Sequence, residues 1–447
     1  MNLRRTPSTR RPSSPRRIAV AVTAVVACCA VPSAVAAAHG ETAAPPAPTA
    51  VPAPAGGHWV HTWSATPQLT EPANMPPAPY TRADRVLADT TVRQTVHLST
   101  GGRRVRLRLS NAFGGTDLPV TGVSLARPAG GTAGTAAVVP GSTRRVTFGG
   151  SPGIDIPRGA QAVSDPVDFA VPADGNLTVT LYLAQGQAST DITSHPGSRT
   201  TSYLLTGDHL DDGDLPGATP VDHWYFLGGV EAWSPREGSA AVVLGDSLTD
   251  GRGSTTNHND RWPDQFGTRL HARTGTRDIA VVNQAAGGNR VLHDGLGPNA
   301  LARLDRDVLA TSGVTRLIMF EGINDIGTAD PTQAAAQQVT RELIGAYRQI
   351  VARAHAQGIR VYGATLTPLG GNAYDDPAGA HEAARQAVNR WIRTSGVFDA
   401  VIDFDAAVRD PAAPRQLLPA YDTGDHLHLD PAGYRALADA VPLRLFR

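Results

Sequence analysis

Residues 242–251 read VVLGDSLTDG, an apolar run that stops on Gly245, Asp246 and Ser247, and the reading of this stretch decides the fold. Residues 240–244 carry no polar side chain, as a central parallel strand covered on both faces requires. Further apolar strands are predicted at 279–282, 316–320, 360–366 and 401–404. Among the helices between them the strongest signal is 332–355, where Val339, Leu343, Tyr347, Ile350 and Ala354 share one face and Gly358 follows as a C-terminal cap. Five strands with intervening helices predict a doubly wound α/β/α domain over 236–447, with its ligand site beyond the carboxyl ends of the strands. Ser247 then stands on the rim, where exposed backbone N–H groups can face an anion.

An isolated Gly-Asp-Ser is equally readable as a helix cap, so the other strand ends decide between the two. After the second strand comes Asn283-Gln284-Ala285-Ala286-Gly287-Gly288-Asn289-Arg290, after the third Gly322-Ile323-Asn324-Asp325, and past the fifth Asp425-His426-Leu427-His428. One rim thereby gathers a hydroxyl, a side-chain-free N–H, a carboxamide, an imidazole and a carboxylate, the groups acyl transfer needs. A serine hydroxyl is a weak nucleophile unless an imidazole takes its proton, which assigns the base to His428. Asp425, three residues earlier, is placed to fix the ring's tautomer. The negative oxygen of a tetrahedral intermediate needs donors set in advance, a role that falls to the Ser247 N–H, the Gly288 N–H and the Asn324 side chain.

Gly-Asp-Ser-Leu at 245–248, Gly288 before Asn-Arg, Asn324 in Gly-x-Asn-Asp, and Asp425-x-x-His428 resemble, in order, the four blocks of the GDSL or SGNH hydrolase superfamily. The resemblance implies a flavodoxin-like domain in which Ser247 is nucleophile and donor, Gly288 and Asn324 are oxyanion donors, His428 is the base and Asp425 its orienting acid. It covers only the carboxyl half. A β-sandwich ahead of such a domain is similar to the arrangement of some two-domain carbohydrate esterases of the superfamily.

Upstream, 58–235 reads as an antiparallel, jelly-roll-like β-sandwich. Val105, Leu107 and Leu109 alternate with polar residues, as do Leu177, Val179, Leu181 and Leu183 after the turn Asp174-Gly175-Asn176. Gly101-Gly102 is expected to close a hairpin between 91–99 and 105–110, and 129–135, made of Gly, Ala and Thr, is expected to be a flexible surface loop. Residues 39–57 read as an Ala/Pro-rich tether. Residues 1–38 carry six arginines before an apolar run from Ile18 ending in small residues, an export signal with cleavage expected after Ala36 or Ala38. A retained anchor, twin-arginine export through Arg16-Arg17 and a lipid on Cys28 are the competing readings of this segment.

Cleavage would leave 34 basic residues (40 less 6) against 40 acidic, a net charge of −6, which excludes an electrostatic footprint for nucleic acid. Both cysteines, Cys28 and Cys29, would depart with the signal, and the chain has no lysine, so thiolate, disulfide and Schiff-base chemistry are excluded from the mature protein. The expectation is a secreted monomer needing no cofactor or metal. It acts on acetyl or short acyl esters of carbohydrate, small-molecule or polymeric, with lipase or lysophospholipase activity as the alternative. Two rivals remain open at this stage. Asp422, Asp425, His426, His428 and Asp430 could ligate a metal, or the chain could be a glycan-binding protein with an inert α/β half. Trp262 is read as core or pocket wall, Asp325 as bonding its own loop, Asp430-Pro431 as a helix start, and Tyr374-Asp375-Asp376 as a lid or a solvated turn.

Overall fold

A computed structural model describes residues 56–447; the expected signal at 1–38 and residues 39–55 of the expected tether lie outside the described residues. The carboxyl half is built on five strands, β1 (Ser239–Gly245), β2 (Ile279–Ala285), β3 (Val314–Phe320), β4 (Arg360–Ala364) and β5 (Ala400–Ile402). All are parallel, in the order β2-β1-β3-β4-β5, so the winding reverses between β1 and β3. Reversal there opens a crevice at the carboxyl ends of those two strands. Every residue of β1 is buried, which accounts for the unbroken apolar run from Ala240 to Leu244.

Eight helices flank the sheet: α1 (Ser247–Asp250), α2 (Trp262–His271), α3 (Ala300–Leu304), α4 (Ile323–Gly327), α5 (Gln333–Ala356), α6 (Ala380–Thr394), α7 (Phe404–Val408) and α8 (Pro431–Ala440). The predicted face of α5 is buried, Thr332 caps its start by accepting from Ala335 N, and Gly358 follows its end at φ 71°. The fourth and fifth strands stop earlier than expected. Asp403 accepts from Ala406 N and so turns the chain into α7, which takes Phe404 out of the sheet and into the core against Trp262 and Phe320.

The amino half consists, among the described residues, of antiparallel strands and two single 3₁₀ turns. One sheet pairs Gly57–Ser64, Leu227–Pro235, Gly102–Ser110 and Val167–Val171, with Gln161–Val163 also against Gly102–Ser110. A second, larger sheet has six strands, at whose centre Thr90–Leu98 lies between Gly175–Leu183 and Ser202–Thr206. The hairpin expected through Gly101-Gly102 therefore does not form. Thr90–Leu98 has both edges taken by distant strands, and the chain crosses at 99–101 to the opposing sheet. Residues 129–135 are also not free. Gly134 N donates to Thr95 Oγ1 at 2.6 Å, Tyr203 Oη donates to the Gly134 carbonyl, and the buried Arg93 donates to the Ala136 carbonyl at 2.7 Å. This loop covers the polar face of the six-stranded sheet, supplying partners to groups that burial would otherwise leave unpaired.

Residues 236–238 join the last sandwich strand directly to β1. The outer edge of β2 pairs with no strand; the sandwich meets it with hydroxyls. Ser99 Oγ accepts from Val281 N at 3.0 Å, Ser64 Oγ donates to the Asn283 carbonyl at 3.1 Å, and Thr66 Oγ1 donates to Gln284 Oε1 at 3.1 Å. An exposed strand edge is thus satisfied by side chains in place of a sixth strand. No helix of the described residues is long and apolar enough to cross a membrane.

Candidate active site

The turn after β1 is fixed residue by residue. A side-chain carbon on Gly245 would meet Thr249 Oγ1 at 2.5 Å and the Phe320 carbonyl at 2.9 Å, so only glycine lets α1 fold back this closely. Asp246 caps α1 by accepting from Leu248 N at 3.0 Å. Thr249 takes a bond from Trp262 Nε1 at 3.2 Å on its hydroxyl and one from Asn283 Nδ2 at 2.9 Å on its carbonyl. Asp250 is held from the sandwich: its Oδ1 lies 2.9 Å from Nε2 of buried His195, whose Nδ1 is 3.0 Å from the Thr66 carbonyl. The single turn that presents Ser247 is therefore clamped by both halves of the chain.

Ser247 Oγ lies 2.8 Å from His428 Nε2, and His428 Nδ1 lies 2.6 Å from Asp425 Oδ2. The carboxylate can only accept, so Nδ1 carries the proton and Nε2 is left to accept from the serine hydroxyl. The other carboxylate oxygen, Asp425 Oδ1, accepts from Leu427 N at 3.0 Å and His428 N at 2.8 Å. Burial opposes ionisation of Asp425, but these bonds and the His428 ring outweigh it and hold its pKa at about 2. His428 is pushed below its ordinary 6.5, by burial first and then by the Arg252 and Arg199 charges, against the pull of Asp425. Ser247 and His428 are only 8% and 7% exposed, so the pair sits in a crevice with little competing water.

On the opposite side, no backbone or side-chain acceptor among the described residues takes the N–H of Ser247 or of Gly288. Gly288 is at φ 68°, a conformation glycine adopts without strain. Asn324, 4% exposed, donates from Nδ2 to the Asn289 carbonyl at 2.9 Å and accepts on Oδ1 from Tyr374 Oη at 2.9 Å. Tyr374 thereby fixes the amide's orientation, with Oδ1 toward the phenol and Nδ2 toward the Asn289 carbonyl beside Gly288. Burial raises its pKa, keeping the phenol a donor. Behind the strands, fully buried Arg303 donates to the carbonyls of Gln284 (2.6 Å) and Gly245 (3.2 Å) and to Asn289 Oδ1 (2.9 Å), tying two rim loops together. Burial pushes Asp246 well above the carboxylate range and Glu321 to about 7, so the acids beneath the serine oppose a developing negative charge less than ionised carboxylates would.

The five residues singled out from sequence thus meet at one rim: Ser247, His428 and Asp425 in line, Gly288 and Asn324 on adjoining loops. Asp325 departs from expectation. It accepts from Val291 N at 2.8 Å and Leu292 N at 2.9 Å, bracing the loop after β2 instead of its own. Trp262 is fully buried against Phe404 and lines no crevice. His426 turns away, its Nδ1 2.6 Å from Asp422 Oδ2, and Asp430 caps α8 by accepting from Gly433 N. Among the described residues, no three His, Cys, Asp or Glu side chains are grouped to hold a metal ion. Tyr374 is bonded to Asn324 and not left to solvent, while Asp376 caps α6 through Ala380 N and His381 N. His195 and Arg303 carry no signal in the sequence; each is an isolated residue whose partners come from distant segments.

A hydroxyl, imidazole and carboxylate aligned at the carboxyl rim of a doubly wound sheet supply the groups that acyl transfer requires. Residues 243–436 match the model of the GDSL-like Lipase/Acylhydrolase family. The matched segment lies in the carboxyl half and holds all five rim residues, Ser247, Gly288, Asn324, Asp425 and His428. The search of solved structures returns an acetylxylan esterase from Geobacillus stearothermophilus, 22% identical, covering 47% of this chain and 96% of that one with a TM-score of 0.35. It also returns an α/β hydrolase enzyme from the metagenome of Lake Arreo, Spain (22% identical, 47% and 95% covered, TM-score 0.35). A GDSL-like lipase from Bacteroides thetaiotaomicron VPI-5482 is 17% identical, with 45% and 85% covered and a TM-score of 0.31. No match was found among curated proteins.

Proposed function

We propose that the protein is an exported serine esterase in which Ser247 Oγ attacks the ester carbonyl while His428 Nε2 takes its proton. The C–O bond to the alcohol then breaks, His428 returns the proton to the leaving oxygen, and the acyl group stays on Ser247. Water, deprotonated by the same nitrogen, attacks the acyl-enzyme and releases the acid. The oxyanion of each tetrahedral intermediate is received by the Ser247 and Gly288 N–H groups and the Asn324 amide. The observation that carries this reading is the 2.8 Å and 2.6 Å relay from Ser247 through His428 to Asp425. Export rests on the sequence of residues 1–38 alone, and the working substrate class is neutral acyl esters from acetyl upward, including those on carbohydrate.

The test is covalent trapping. A serine-directed fluorophosphonate is expected to modify Ser247, located by peptide mass spectrometry, and to abolish hydrolysis of p-nitrophenyl acetate. Labelling elsewhere with activity intact, or activity that survives the reagent and is lost to a chelator, would turn the assignment toward metal-assisted hydrolysis.

Two further results are expected. Asn324→Ala removes one oxyanion donor and should lower kcat about 10²- to 10³-fold, KM changing little. Tyr374→Phe, which keeps the amide but frees its orientation, should cost less. In the pH profile, the depressed pKa of His428 keeps the imidazole neutral, and thus basic, below 6.5. The acid limb of kcat/KM is therefore expected below that value, and Arg252→Ala, which removes a positive neighbour, should move it upward. A limb at or above 6.5 in the unmodified enzyme contradicts the assignment of His428 as a base desolvated in the crevice.

A further inference from the structure

Between the two halves of the chain lies a cleft of about 770 Å³ that contains no member of the relay. The sandwich supplies Leu69, Pro72, Met75 and Phe113 to its wall, and the loop after β2 supplies Gly295, Gly297 and Pro298. Volumes of roughly 300–1,000 Å³ house a ligand of drug size, far more than an acetyl group occupies. Leu69 and Leu296 are 46% and 49% exposed, two of the four large apolar side chains left exposed among the described residues, and both belong to this cleft or its margin.

One side chain, Leu296, joins the loop that lines the cleft to the oxyanion glycine. Leu296 lies between the cleft residues Gly295 and Gly297 and packs on Gly288, where any side-chain carbon would collide with its Cδ1. Asn289 fastens that loop by donating to the Leu296 and Pro298 carbonyls at 3.1 and 2.8 Å. The leaving oxygen must face His428 to receive its proton, and the carbonyl oxygen must face Gly288 and Asn324. The acyl chain is the substituent left to run past Leu296. Around the cleft stand Glu71, Asp191 and Asp294 with no basic residue in the lining, an environment that rejects an anionic tail.

Resting on the reading of Ser247 as nucleophile, we infer that this cleft is the acyl-chain site, built jointly by the sandwich and the loop after β2, and that it takes an uncharged apolar chain of medium length. The sandwich then selects the acyl group, and acetate is the smallest substrate accepted, not the preferred one.

The experiment uses the full chain and three chromogenic esters: p-nitrophenyl acetate, p-nitrophenyl octanoate and the mono-p-nitrophenyl ester of suberic acid, whose chain ends in a carboxylate. Each buried methylene is worth about fourfold in binding, so partial burial of six predicts kcat/KM at least about tenfold higher for octanoate than for acetate. The suberate ester is expected to lose most of that gain. Leu69→Asp, a change on an exposed side chain, should cut the octanoate-to-acetate ratio about tenfold, with Tm unchanged. Wild-type preference for acetate, equal rates for octanoate and suberate esters, or an unchanged ratio in a folded Leu69→Asp protein would each overturn the site. Ser247→Ala separates the two claims: hydrolysis surviving in that variant sinks the nucleophile reading, whereas the chain-length ratio of the wild type reports on the cleft alone.

Discussion

Ser247→Ala is expected to lower kcat for any ester substrate about 10⁶-fold, to near the background of a site that binds and polarises but does not attack. The size of the loss follows from the relay acting as one unit. Without Oγ, His428 Nε2 has no proton to take and no acyl-enzyme forms, so the remaining donors can only assist water. Because Ser247 heads a single helical turn whose other three residues are held by Asp246, Trp262, Asn283 and His195, removing one oxygen should leave the fold and Tm intact. The check is steady-state hydrolysis with an active-site titration of the wild type, plus a melting curve for each protein. A loss below about 100-fold in a folded variant would show that chemistry runs through another group.

Asp425→Asn is expected to cost about 10⁴-fold in kcat with KM nearly constant. In the native site Asp425 is ionised throughout the working range, since its pKa is held at about 2, and it accepts the Nδ1 proton. The amide of asparagine can instead donate toward Nδ1. That stabilises the tautomer with the proton on Nε2, which points a hydrogen at Ser247 where a lone pair is required. Shape is preserved and function is not, so a structure of the variant should show the ring unmoved. The substitution also removes the one group that raises the His428 pKa, so whatever activity remains should have its acid limb shifted to lower pH.

How much of this was legible beforehand depended on how far apart the interacting residues lie. The rim blocks could be read because each rests on a few consecutive residues, Gly245 to Leu248 or Asp425 to His428, placed by a strand end that the apolar run announces. β1 was readable from composition, being buried throughout. The sandwich pairing was not: Thr90–Leu98 next to Gly101-Gly102 looks like half a hairpin, and only the competition of Gly175–Leu183 and Ser202–Thr206 for its two edges sends the chain to the other sheet. Residues 129–135 look loose because Gly, Ala and Thr carry no sign of Thr95 and Tyr203, the distant hydroxyls that bond Gly134. Tyr374 reaches Asn324 across 50 positions and His195 reaches Asp250 across 55, bonds that no local pattern encodes. Asp325 misled for the same reason, its partners being Val291 and Leu292 and not its neighbours.

The hydroxyls of Ser64, Thr66 and Ser99 along β2 bear on how such an enzyme can be cut or recombined. A truncation beginning at 236 would strip a bare strand of its cover and offer it to any other chain with a free margin, the geometry from which β-aggregates grow. The hydrolase half is for that reason not a portable module. Engineering that seeks a minimal catalyst has to carry the amino half along, or rebuild a polar border for β2 before discarding it.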